Sequence, residues 1–312
     1  MRQWMQIIKE TDIETTPTAS DSNSIWIDLE ENDPSINLTP SMYQIRSALP
    51  KRGVTTRLSG SAQDAIAGSF SVALYHEQAN FWHDAVFEPT LVSTIYPTLP
   101  TYTINRAWVD DGFISRVEQY RRCVFSACTI TGSNAAGSDP IRLNLTVLGG
   151  EFVSGVTLTA PACTVFPDEL YLWTGTDIKI NNTSIKSYVR GFTHTITHTI
   201  QPRRHMNRYP DGYTYSGWNV SLGIDMDMFS HAYREQYLDI RTSFADAIYA
   251  SNNYLEFTYA ADKKVKFDFY DAMFSALDPQ RPPSGDHTQA ATIIPHYDCT
   301  LLDMTCTITN PA

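Results

Sequence analysis

The spacing of apolar residues changes within one short stretch of the chain, GSFSVALYHEQANFWHDAVF, at residues 68–87. Phe70, Val72 and Leu74 alternate with small or polar residues, which is the period of a strand with one buried face. From Phe81 onward the apolar residues recur four positions apart, which is the period of a helix. No proline or cluster of turn residues separates the two patterns. The stretch therefore predicts a long strand that leads directly into a helix.

The same order of elements recurs in the second half of the chain. Alternating apolar residues over 218–228 predict a second long strand, and a helical stripe over 237–248 follows it. A hairpin follows the helix in both halves, at 123–148 and at 254–269. The repetition predicts two tandem modules built on one plan, and two unrelated α+β domains are the alternative.

Three segments are expected along the chain. Residues 1–35 combine acidic side chains with Thr and Ser, which predicts an extended N-terminal arm. The first module spans 36–165 and the second 166–312, because two prolines in APACTVFPDE mark a boundary. Tyr, Phe and Thr are abundant and only 18% of residues are charged, which favours β structure. A proline-rich connection at 87–105 is too long for a plain turn.

The five cysteines are scattered along the chain and odd in number. Cys123 and Cys128 lie five positions apart on one predicted strand, so their side chains should point to opposite faces and form no disulfide. The sequence has no CxxC pair of the kind that binds zinc. We therefore expect reduced core cysteines, in a protein made in a cytoplasm. The N-terminal residues lack a long apolar run, so neither a signal peptide nor a membrane span is expected.

Sequence motifs of catalysis are missing, since GxSxG, GxGxxG and GxxxxGK[ST] do not occur. His194 and His198 lie on a predicted strand, about 13 Å apart at ~3.3 Å per residue, which is too far to chelate one ion. Asp225 and Asp227 lie about 7 Å apart on one strand face, a spacing open to a carboxylate pair. We favour a solvated sheet face for these two aspartates. No enzyme activity, cofactor or metal site is expected.

The densest basic cluster lies in a polar loop of an acidic chain, whose formal net charge is −11. It contains Arg203, Arg204, His205 and Arg208, between two predicted strands. The charge of the whole chain disfavours tight binding to nucleic acid. The cluster is therefore either a solvated loop tip or a contact with an acidic surface on another copy, for which the arm at 1–35 is one candidate.

Three stretches of the chain resemble parts of the tail tube proteins of tailed bacteriophages. The opening of that family, a strand and loop before a glycine-marked long strand and a short helix, is similar to SINLTPSMYQIRSALPKRGVTTRLSGSAQDAIAGSFSVALYHEQANFWHDAVF. The hairpin that follows in the family is similar to YRRCVFSACTITGSNAAGSDPIRLNLTVLGGEF. A third stretch resembles the same module a second time, SYVRGFTHTITHTIQPRRHMNRYPDGYTYSGWNVSLGIDMDMFSHAYREQYLDI. The likeness covers most of residues 35–310.

The resemblance implies a mainly β (α+β) fold of two tandem β-sandwich modules, each with a flanking helix. It implies a structural subunit that polymerises as stacked rings into a hollow conduit for double-stranded DNA. A chain with two modules would need three copies for a ring with pseudo-sixfold symmetry. The loops at 49–59 and 201–212 would reach the next ring, and an acidic lumen would let the phosphate backbone slide.

The resemblance also implies a set of partners, the first of which is the chain itself through ring and stacking contacts. The tape-measure protein during assembly, and tail terminator or tail-tip proteins at the tube ends, are further expected partners. Double-stranded DNA is expected only as non-specific passing cargo, and no membrane is involved. The expected location is the virion tail, after assembly in the host cytoplasm. Two other functions stay open: another tail or neck protein such as a terminator, and a carbohydrate-binding β-sandwich adhesin that uses Asp225 and Asp227.

Overall fold

A computed structural model describes most of the chain, and its described residues are 2–11, 17–20, 23–28, 37–46, 56–92, 97–110, 113–134, 139–159, 167–203, 210–227, 248–249, 252–280, 288–295 and 304–310. The structure is mainly β, as predicted. The strands of the first half are β1 (Arg2–Lys9), β2 (Ser24–Asp28), β3 (Asn37–Arg46), β4 (Thr56–Ala73), β5 (Tyr102–Asp110), β6 (Phe113–Ser133), β7 (Arg142–Gly149) and β8 (Glu151–Ser154). Those of the second half are β9 (Thr176–Ile180), β10 (Thr183–Ser184), β11 (Val189–Arg203), β12 (Gly212–Asp227), β13 (Ile248–Tyr249), β14 (Asn253–Ala260), β15 (Lys263–Phe269), β16 (Ala272–Gln280), β17 (Thr288–Pro295) and β18 (Met304–Thr309).

The long strand β6 belongs to two parts of one large sheet. Residues 113–123 pair with β5 and, in part, with β8, and β5 continues to β1 and β2. Residues 124–133 pair instead with β7 and β11. Arg122 has a left-handed φ of 57° at the point where the neighbours change. This irregular residue therefore marks the junction between the two parts.

The second half of β6 lies in a run of eight strands that we call the central sheet. Its order is β3-β4-β7-β6-β11-β12-β17-β16, with the two-residue β13 on the far side of β16. Every neighbouring pair in this run is antiparallel.

A second, smaller sheet packs on one face of the central sheet. Its strand order is β10-β9-β14-β15-β18. Phe192 of β11 stacks on Phe257 of β14 with ring centroids 5.6 Å apart, and the ring of His194 lies 4.8 Å from that of Phe267. The two sheets thus form a β-sandwich with an aromatic-rich core.

The change of period at 68–87 marks a strand followed by a short helix, as predicted. β4 places Phe70 and Val72 in the core, and α1 (Ala79–Trp82) follows. The helix continues as a wider π-type turn, His83–Phe87.

The short helix closes one side of the core with two aromatic side chains. Trp82 and Phe87 are fully buried. The ring of Trp82 lies 5.8 Å from Phe125 of the large sheet, and that of Phe87 lies 5.1 Å from Phe267 of the small sheet. The second predicted helix, at 237–248, lies outside the described residues except for Ile248, the first residue of β13.

Both predicted hairpins are confirmed. β6 pairs with β7, and β14 pairs with β15. The alternation predicted for β11 is also confirmed, since Phe192, Ile196 and both histidines are buried while the threonines between them are not.

Residues 1–35 were expected to form an extended N-terminal arm, and the described part of that segment includes two strands of the large sheet, β1 and β2. β1 forms eight residue pairs with β5, and Met5 and Ile7 are fully buried in the main core. Glu10, one of the acidic residues behind the expectation, is itself buried and accepts a hydrogen bond from the hydroxyl of Thr103 at 2.7 Å. The composition of the whole segment is acidic and polar, and it therefore did not reveal the short run of apolar residues in β1, RQWMQIIK.

Simple alternation over residues 123–131 predicts that Val124 and Cys128 share a face of the strand, and the structure shows that this prediction is wrong at Val124. A β-bulge between Phe125 and Ala127 shifts the register. Val124 therefore packs with Leu99 in a separate small cluster, whereas Cys123 and Cys128 both reach the main core.

The cysteines that the structure describes are free thiols. Cys123, Cys128 and Cys306 are buried and unbridged, in agreement with the predicted reduced state. Burial raises the pKa of the Cys128 thiol well above its usual range. Cys163 and Cys299 lie outside the described residues.

The two halves of the chain meet within a single sheet. β6 of the first half pairs with β11 of the second over seven residue pairs. The connecting segment is held by Glu77, whose carboxylate accepts the backbone N–H groups of Asp168 and Glu169, both at 3.1 Å. Glu169 in turn pairs with Lys263 of the small sheet. The division into duplicated modules 36–165 and 166–312 stays a prediction.

Candidate assembly surfaces

The exposed face of the small sheet carries charged side chains that are paired with each other. Lys264 lies 3.0 Å from Glu256, and Lys266 lies 2.6 Å from Asp268. The ammonium of Lys266 also lies 4.6 Å from the ring centre of Tyr254. Such mixed, paired charge is typical of a surface that faces solvent.

The exposed face of the central sheet has a different chemistry. Its directly paired residues form three rows across the strands, which we call the hydroxyl face. The first row is Ser71, Asn144, Thr129, Thr195 and Ser221. The second row is Ala73, Arg142, Thr131, Thr193, Gly223 and Thr292. The third row is Ser69, Thr146, Ala127, Thr197 and Asn219.

No residue of the hydroxyl face is buried, and Arg142 is the single charged side chain in its three rows. The alternating rows between them contain the apolar core, for example Val72, Leu143 and Ile130. The face is therefore a continuous solvent-accessible area in which small, neutral Thr, Ser and Asn side chains predominate. A carboxylate appears one row further along, at Asp225, which is exposed.

The central sheet ends in two open edges within the described part of the chain. β3 pairs only with β4, and β16 beyond its first two residues pairs only with β17. Unpaired backbone N–H and C=O groups along such edges accept a further strand.

Two hairpins extend beyond the rest of the central sheet as two-stranded ribbons. Among the strands that the structure describes, residues 56–65 of β4 pair with β3 alone, since pairing with β7 begins at Ile66. Within the same described strands, residues 198–203 of β11 pair with β12 alone, since pairing with β6 covers only 191–197. These ribbons lead to the two loops that were predicted to reach a neighbouring ring, at 49–59 and 201–212.

The base of the second ribbon is fixed to the junction in β6. The hydroxyl of Tyr213 donates to the carbonyl oxygen of Arg122 at 2.8 Å, and a guanidinium nitrogen of Arg122 donates to the carbonyl oxygen of Pro210 at 3.0 Å. Tyr213 also packs in the small apolar cluster with Leu99 and Val124. The position of the ribbon is therefore set by the fold up to the start of the loop.

The structure describes one residue of the predicted basic cluster. Arg203 ends β11, and its backbone carbonyl oxygen accepts the N–H of Asp211 at 2.8 Å, which closes the ribbon. The side chain of Arg203 lies beside Gly212 on the facing strand. Arg204, His205 and Arg208 lie outside the described residues, so their proposed contacts stay predictions.

The two histidines and two aspartates that the sequence offered as possible site residues differ in their surroundings, since the histidines lie in the core and the aspartates do not. His194 and His198 are buried, and burial lowers the pKa of both imidazoles, that of His194 to about 4. Asp227 forms an ion pair with Arg190 of the neighbouring strand β11, and Asp225 is exposed. Across the described ranges, no group of three or more His, Cys, Asp or Glu side chains is placed to hold a metal ion. Within the same ranges, no helix is long and apolar enough to span a membrane.

Open sheet edges, two-stranded ribbons and a face of small polar side chains are features typical of one class, the structural β proteins that assemble with other subunits. A comparison with protein families gives the particular family. The model of the phage tail tube protein family matches residues 4–309, nearly the whole chain. The chain therefore belongs to the phage tail tube protein family and is a structural protein of the virion tail. A search of curated proteins gave no match.

Proposed function

We propose that three copies of this chain close into a ring whose inner wall is one continuous antiparallel sheet, and that such rings stack into a conduit for double-stranded DNA. The supporting observation is the even number of strands in the central sheet. With seven antiparallel pairings, the edge strands β3 and β16 run in opposite directions. When β16 of one copy meets β3 of the next, the new pair is antiparallel as well, and no edge stays open.

Ring size excludes a ring of one copy and is compatible with three. One central sheet closed on itself would be a barrel of eight strands, and side chains fill barrels of that size. Three copies of eight strands make 24, and at ~4.8 Å per strand the wall is about 115 Å around and about 37 Å across before strand tilt widens it. Closed barrels of about 16 to 18 strands already leave an aqueous channel. A ring of three copies therefore leaves an open bore.

The ribbons supply contacts between rings. Each ribbon extends the strand direction beyond the wall, so its tip meets the adjacent ring. In the sequence, Arg204, His205 and Arg208 follow closely after Arg203, the last residue of β11, and these four basic residues would bind an acidic surface of the next copy in a protein of net charge −11. Assembly takes place in the host cytoplasm along the tape-measure protein, and terminator or tip proteins close the tube ends.

Electron microscopy and mass measurement of the purified protein test the ring. We expect stacked rings or tubes that form with rising concentration, and a ring mass of three chains. A persistent monomer at high concentration would contradict assembly, and a ring of six chains would contradict the count of strands.

Two neighbouring proline substitutions test the edge itself. Along an antiparallel strand, successive backbone N–H groups point alternately to the two sides. Gln44→Pro and Ile45→Pro therefore remove one N–H that bonds to β4 and one that faces the open edge. The variant that loses the outward N–H should stay folded and form rings at least about tenfold less well. Unimpaired rings from both folded variants would exclude β3 as the contact.

A further inference from the structure

Packing within the single subunit does not explain why the hydroxyl face is so rich in small neutral residues. Exposed strand faces usually mix Lys, Glu, Arg and Asp among their polar residues, and the small sheet of this protein does so with Lys264, Lys266, Glu256 and Asp268. The three rows of the hydroxyl face contain Thr, Ser, Asn, Ala, Gly and a single charged residue, Arg142. The two exposed faces of one sandwich thus meet different surroundings.

The geometry of the proposed ring decides which face points to the bore. A closed wall has one face toward its axis and one face away from it. The apolar face of the central sheet is covered by the small sheet, through contacts such as Phe192 with Phe257. Since packed sheets lie ~10 Å apart, small sheets on the inner side would narrow a wall of about 37 Å to about 17 Å between opposite backbones, and their side chains would leave too little room for duplex DNA. The small sheets therefore lie outside, and the hydroxyl face lies inside.

The chemistry of this face suits a polyanion that must pass without binding. Tight binding to DNA comes from Lys and Arg side chains that displace counterions from phosphates. The rows offer one such side chain in each copy, Arg142, while Thr195, Thr197 and Ser71 offer hydroxyl groups. Hydroxyl and amide groups exchange hydrogen bonds with water and phosphate oxygens without retaining either.

We infer that the hydroxyl face lines the DNA channel, and that the channel wall is neutral and hydroxyl-rich rather than acidic along these rows. This inference rests on the proposed function and adds to it the residues of the lumen. The carboxylate of Asp225 lies one row beyond and marks the place where acidic charge begins.

Accessibility in assembled tubes tests the inference. Thr197→Cys introduces a thiol on the hydroxyl face, and Thr307→Cys introduces one at an exposed position on the small sheet. Each variant is treated, as intact tubes and as dissociated subunits, with a small maleimide and with a maleimide coupled to a folded protein too wide for the bore. The unsubstituted protein gives the background from native cysteines.

The bulky reagent should label Thr307→Cys in both states and Thr197→Cys only after dissociation, while the small reagent labels both variants in both states. Ser71→Cys is the second variant if Thr197→Cys fails to assemble. Bulky labelling of either hydroxyl-face variant in intact tubes would overturn the inference. Absence of tubes from the unsubstituted protein would instead overturn the proposed function.

The neutral wall has its own consequence in the virion. Thr195→Lys adds three ammonium groups per ring, so the tubes should retain duplex DNA in a salt-dependent manner and slow DNA ejection by about tenfold or more. Thr307→Lys adds the same charge on the small sheet and should leave ejection unchanged. Equal ejection rates in both variants would contradict the assignment.

Discussion

At the scale of single residues, His194 shows how this chain uses a polar side chain inside its core. It is fully buried between the two sheets, in contact with Phe267 and Phe269. Its Nδ1 lies 3.1 Å from the carbonyl oxygen of Ser221, which can only accept, so Nδ1 carries the proton. Burial lowers the pKa of the imidazole to about 4. The side chain is therefore a neutral core residue at pH 7.

The subunit should lose stability in mild acid through His194. An unfolded histidine titrates near 6.5 and the folded one near 4, so the unfolded chain binds more protons between these values. The free energy of unfolding should fall as pH drops from about 6.5 to about 4, by up to about 3 kcal/mol from this residue. Urea unfolding at several pH values, on subunits kept dissociated, measures it.

His194→Gln is the matched variant, since it keeps a donor for Ser221 and removes the titration. Its unfolding free energy should fall less than that of the unsubstituted protein over the same pH range. Parallel pH curves for the two proteins would show that His194 is not the source. His198→Gln tests the second buried histidine in the same way, because burial lowers its pKa too.

At residue scale, the sequence predicted which side chains are buried wherever a strand is regular. The alternation along β11 identified both histidines as too far apart to bind one ion, and they are core residues in the structure. The same reasoning failed at Val124, because a bulge adds one residue to β6 and reverses the faces beyond it. A bulge depends on the facing strand, so the local pattern does not contain it.

At the scale of elements, strands with clear alternation were predictable and two strands that contain proline were not. β11, β12, β14 and β15 follow clear alternation. β16 and β17 were not predicted, since Pro279 and Pro295 interrupt their pattern. Prolines are tolerated there because both lie at strand ends, and β16 is at an edge.

The second ribbon should determine how rings stack. Changing Arg203, Arg204 and Arg208 together to Glu reverses the charge at its tip, and we expect ring stacking to weaken because the facing surface would be acidic. Sedimentation of tubes against free rings measures the effect, which should diminish as salt rises.

The charge-matched control changes Lys179, Lys186 and Lys266 to Glu on and beside the small sheet. Its total charge equals that of the ribbon variant, so it separates a local contact from general repulsion. Equal stacking by the ribbon variant and the unsubstituted protein would contradict the inter-ring role.

At the scale of the whole molecule, the two halves of the chain share one sheet and the main core cluster. The main core cluster contains residues of both halves, such as Phe125 and Phe267, and β6 pairs directly with β11. The sequence predicted a repeated order of elements but could not show this junction, because pairing between distant strands leaves no local pattern.

Unfolding of the dissociated subunit should therefore be a single cooperative transition. Separation of the halves would expose the β6 edge and divide the core, so neither half should unfold alone. Calorimetry should give equal calorimetric and van't Hoff enthalpies. Two resolved transitions would show that the halves are independent units.

The two open edges of the central sheet are different strands, β3 and β16, and this difference has a consequence for the proposed tube. Because β3 joins β16 and never another β3, every subunit in the proposed ring faces the same way along the axis. The tube therefore has direction, and its two mouths present different surfaces of the same chain. A protein that closes the end at the capsid has no reason to fit the end at the host cell.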